Sequence, residues 1–71
     1  MTRGPLPGEA DRRHAATVLA RHRATYLHTA GAHEDGPERD HYGHIAFALE
    51  AAGVELAGED AMRRAIAEET P

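Results

Sequence analysis

Glu38 and His41 stand three residues apart, and His44 follows three later, in the stretch HEDGPERDHYGH at residues 33–44. At i and i+3 of a helix, a carboxylate and an imidazole project from one face and can reach a single ion. Helical bundles with carboxylate-bridged di-metal centres use this Glu-x-x-His spacing. Oxygen and imidazole ligands suit zinc, iron or nickel. His33, Glu34 and Asp40 are near enough in sequence to assist. A di-metal bundle also draws glutamates from the facing helix. Here the acids of the preceding helical segment, Glu9 and Asp11, stand only at its start. For the set Glu38, His41 and His44, a dimer that brings a second copy of this helix alongside could supply the missing ligands. The plainer reading is a turn running into a solvated helix start, with Asp35 and Glu38 at capping-box spacing and Pro37 in the first turn. Glu-x-x-His pairs arise often by chance. The primary expectation is accordingly no cofactor, with a metal-binding chain as the alternative.

Other chemistry finds fewer residues to use. The chain has no serine and no cysteine, so hydroxyl or thiolate nucleophiles of those types are absent and no disulfide forms. Its glycines fall at turns and helix stops, not in a phosphate-binding loop. His22 lies on the apolar side of the first helical segment. It reads as a neutral core histidine, bonded to Tyr42 or to a backbone carbonyl, more readily than as a ligand or base. Catalysis is not the expectation.

The net charge is −4, with every basic residue an arginine and the acids spread along the chain. Arg12, Arg13, Arg21 and Arg23 scatter around a helix instead of forming a stripe. The segment IAFALEAAGVELAGEDAMRR outlines a helix-turn-helix. Its second helix, however, would present Glu59 and Asp60 to DNA phosphates. Nucleic acid is thus an unlikely partner on charge alone. No apolar run approaches the ~20 residues of a membrane span. The start MTRGPLPGEA lacks the apolar segment of a secretory signal, which makes the cytoplasm the expected compartment. Absence of lysine, serine, asparagine and glutamine, with abundant alanine, fits a GC-rich bacterial coding bias.

The elements that must position these residues are helical. Residues 1–8, with Gly4, Pro5, Pro7 and Gly8, read as a flexible N-terminal arm. Residues 9–71 form one helical domain. Its first helix, about 9–30, follows a glycine N-cap, carries Glu9 and Asp11 in its first turn and stops at Gly31. The second, about 37–52, stops at Gly53, with Val54 in the position of a Schellman hydrophobic contact. The third, about 58–69, begins with Glu59 and Asp60, after a Leu56 placed to staple onto Ala61 or Met62. No alternating strand pattern occurs. The predicted fold class is all-α: an antiparallel helical hairpin plus a short third helix, a small three-helix bundle.

Size and patterning then point to association. Ordering costs ~1.5 kcal/mol per residue, and a 71-residue chain with few large apolar groups barely offsets it. The second helix is apolar on more than one side. Tyr42, Ile45, Ala46, Leu49 and Ala52 make one stripe, while Phe47 and Ala51 point away from it. The expected function is a small non-enzymatic interaction module, an accessory or regulatory subunit that self-associates or docks on a protein partner. Tyr42, Phe47, Leu49, Met62 and Ile66 are the expected interface residues.

Overall fold

The computed structural model describes residues 8–69, all but a few in helix. Three helices follow in order: α1 (Glu9–Gly31), α2 (Pro37–Ala57) and α3 (Glu59–Glu69). No strand occurs among the described residues, so the all-α expectation holds. Of the arm expected at residues 1–8, residues 1–7 lie outside the described residues, and Gly8 is the N-cap of α1.

α1 and α2 lie side by side and antiparallel. Arg23 meets Glu50 at 2.9 Å, the Tyr26 and Tyr42 rings stack at 6.2 Å, and His33 reaches Glu38 at 3.9 Å. Partners on α2 thus step backward as those on α1 step forward. α3 packs on one face of this pair. Its Met62 and Ala65 are buried with Ala16 and Ala20 of α1, and Leu19, Ala57, Ala61 and Ile66 close around them.

Three local expectations need correction. First, Gly31 is the last residue of α1, not the stop beyond it. The chain leaves through a tighter turn, in which Ala32 N–H bonds the Thr29 carbonyl at 3.1 Å and His33 N–H bonds Ala30 at 3.1 Å. His33 Nδ1 adds a contact to the Thr29 carbonyl at 2.9 Å. These bonds satisfy the orphaned carbonyls without a left-handed residue.

Second, the capping box at Asp35 and Glu38 does not form. Gly36 is the N-cap of α2, without a side-chain cap. Asp35 instead holds Arg39 at 2.8 Å, one turn ahead. Pro37 does take the first turn, where its missing N–H costs nothing.

Third, α2 does not end near Gly53; it continues to Ala57. Gly53 is buried inside the helix, against Met62. The stop is Gly58, with φ +95° in the left-handed region and its N–H on the Val54 carbonyl at 2.9 Å. A glycine that packs and a glycine that turns are one letter in sequence, and the contact with α3 distinguishes them. Leu56 consequently lies within α2 and does not staple α3; it is 59% exposed.

Candidate interaction surface

The core is built almost wholly from alanine. Ala16, Ala20, Ala30, Ala46 and Ala65 are buried together with Met62. Among the described residues Met62 is the one large apolar side chain so placed. Small side chains bring the helices close, and the bulky ones are left at the margins. Val18, Leu19, Tyr26, Tyr42, Ile45, Leu49 and Ile66 are half-buried. Leu27, Val54, Leu56 and Phe47 are exposed, Phe47 to 71%.

The five expected interface residues are accordingly dispersed. Phe47 stands in solvent, and Tyr42, Leu49 and Ile66 are half-covered. Met62 is 1% exposed and is consumed by the chain's own core, so it is not available to a partner. Three exposed residues lie outside the expected set: Val54 and Leu56, because α2 runs on through Gly53, and Leu27, on the side of α1 that carries Ala16 and Ala20. Continuing the α2 wheel through Gly53 would have found Leu56.

His22 also departs from expectation. It is exposed, not a core histidine bonded to Tyr42. Tyr42 instead anchors a cluster at the hairpin turn. It stacks on Tyr26, takes the His33 ring at 5.3 Å and receives the His41 ring edge-on at 5.5 Å. The cluster joins the last turn of α1 to the first turns of α2. Tilted and edge-on geometries of this kind suit the aromatic quadrupole.

Glu38, His41 and His44, the ligands expected from the spacing, are all exposed. Among the described residues, no group of three His, Cys, Asp or Glu side chains is gathered closely enough to hold a metal ion. His33 turns toward Glu38, and His41 turns onto Tyr42. A single chain therefore does not assemble the metal set that the spacing suggested.

Surface depressions lie beside α3. An open cleft of about 640 Å³ runs between the start of α1 and α3, where Arg12, Arg13 and Arg64 mix with Glu9, Glu59, Asp60 and Glu68. Charges of both signs mix along it, and the hydroxyl that lines it, on Thr17, is donated to the Arg13 carbonyl at 3.0 Å. A shallow groove of about 190 Å³ lies between α2 and α3, at Glu50, Val54, Met62 and Ile66. Arginines otherwise pair with acids: Arg21 reaches Glu69 at 4.0 Å, and Arg63 reaches Asp60 at 2.9 Å. No described helix is long and apolar enough to cross a membrane. Comparison with protein-family models, curated proteins and solved structures finds no match.

Proposed function

We propose that this chain is a small non-enzymatic helical interaction module, an accessory or regulatory subunit that works by self-association or by docking on a protein partner. One observation carries the reading: alanines fill the core, while every described large apolar side chain except Met62 keeps part of its surface in water. Burying apolar area yields ~25 cal/mol per Å², so these half-covered groups hold stabilisation that a single chain leaves unused.

Leu56, Phe47, Leu49 and Tyr42 are the residues placed to anchor such contacts; aromatic and large aliphatic groups dominate them energetically. The metal alternative has less behind it, because Glu38, His41 and His44 come together only if another chain adds ligands.

Thermal unfolding followed by circular dichroism across a hundredfold range of protein concentration tests self-association. A melting temperature that rises with concentration is expected, since an assembly is stabilised by mass action. If the chain instead melts cooperatively at one fixed temperature and sediments as a monomer, self-association is lost. Should no protein partner be bound either, the module reading goes with it.

A further inference from the structure

We propose that the hairpin face opposite α3 pairs with the same face of a second copy, through a twofold axis that sets α1 antiparallel to α1 and α2 antiparallel to α2 at the level of His22. The inference rests on the module reading and narrows its partner to this chain itself.

The contacts of α3 define the two faces. Met62 lies over Gly53 of α2 and beside Ala16 and Ala20 of α1, so one side of the hairpin is covered. A helix turns about 100° per residue. On the other side that spacing places Ala15, Val18 and His22 of α1, and Ile45, Leu49, Ala52 and Leu56 of α2. His22 and Leu56 are exposed there, and the rest are half-buried. Among the described residues no further element packs on this face.

Its charge pattern selects the occupant. From Ala15 to Thr29 on α1, a rise of ~21 Å, the face carries no arginine, aspartate or glutamate. Two chains of net charge −4 repel one another over most of their surfaces. They meet without that penalty where the charge is missing, and this strip is such a place.

The register supplies complementarity as well. The Arg23–Glu50 contact fixes how the heights of α1 and α2 correspond. Turned about an axis at His22, Val18 comes level with Tyr26 of the second copy. Ile45 comes level with Leu56 of the second copy, and Leu49 with Ala52 of the second copy, so apolar positions meet apolar positions. The same rotation brings Asp11 level with His33 of the second copy, and Glu55 within one turn of His44 of the second copy. Neither Asp11 nor Glu55 has an ion-pair partner among the described residues of its own chain. Two-fold symmetry repeats each pairing, as an isologous interface requires. Only His22 meets its own copy.

Sedimentation equilibrium of the full chain and three variants, with circular dichroism as the check on folding, tests the arrangement. The wild type is expected to be dimeric. Leu56→Glu should raise the dimer dissociation constant ~10-fold or more with helicity retained, because it places a charge within the apolar strip. Phe47→Glu, on another side of α2, should leave the dimer intact. His22→Glu should weaken the homodimer, and mixing it with His22→Arg should restore association beyond either variant alone; this rescue also decides the matter if Leu56→Glu fails to fold. A monomeric wild type, or a dimer indifferent to both Leu56→Glu and the His22 variants, overturns the inference. A dimer lost on Phe47→Glu but kept on Leu56→Glu also overturns it, while leaving the module reading standing on a different face.

Discussion

Met62 lies directly over Gly53: a Cβ added to that glycine would stand 2.7 Å from Met62 Cε and 3.2 Å from Cγ, with Sδ closer still. This contact seats α3 on the hairpin, and it exists because residue 53 has no side chain. Met62 is held from the other side by Ala16 and Ala20. A longer residue at 53 would push α3 off the alanine seam.

Gly53→Ala is therefore expected to destabilise the chain. In an ordinary helix interior this exchange gains ~0.5–1 kcal/mol. Here overpacking costs ~1–3 kcal/mol, and Met62, 1% exposed, has little room to retreat. Urea unfolding at fixed protein concentration should show a lowered midpoint. Met62→Ala alone should cost ~2–5 kcal/mol, and the double variant should lose less than the two single losses together. A Gly53→Ala midpoint at or above wild type would show that Met62 simply moves aside.

The two glycines at helix ends should respond oppositely to alanine. Gly58 has φ +95°, so Gly58→Ala should cost ~1–2 kcal/mol. Gly31 is helical, with nothing near its missing side chain. Gly31→Ala should be neutral or stabilising by up to ~1 kcal/mol. Equal losses at the two positions in thermal melts would contradict the assigned helix ends.

The Arg23–Glu50 pair, 2.9 Å apart and partly shielded, is the most buried ion pair between α1 and α2 among the described residues. Glu50→Gln should cost no more than ~1 kcal/mol. The difference from wild type should shrink as salt is raised from low ionic strength to about 1 M, where the screening length falls to ~3 Å. A loss that ignores salt would mean packing, not charge, is what Glu50 supplies.

Zinc should leave the melting temperature of the monomeric chain unchanged, and His41→Ala should not alter that result. Bound metal would stabilise the folded state by mass action. No three-ligand group exists among the described residues to bind it. A zinc-dependent rise in dilute protein, abolished by His41→Ala, would restore the metal reading.

Helix content was legible in the sequence because it is set by local rules. From Glu9 to Ala30 no residue breaks a helix, Pro37 begins α2, and Glu59 and Asp60 sit in the first turn of α3. The breadth of apolar residue around α2, and its excess over what one chain covers, could also be read from the wheel. Which glycine turns and which packs could not be read. Gly53 and Gly58 differ only in whether another helix leans on them, and that is a contact between residues far apart in the chain. The same holds for burial. Met62 and Phe47 are comparable large apolar groups, yet one is enclosed and the other is 71% exposed. His22 follows the half-buried Val18 by one turn yet is exposed, because the wheel gives direction and not cover. Three helices and a surplus of apolar surface follow from local propensity, helix-end residues and composition. Tertiary structure alone decided where that surplus lies, because close approach along alanine leaves the bulky side chains outside the seam.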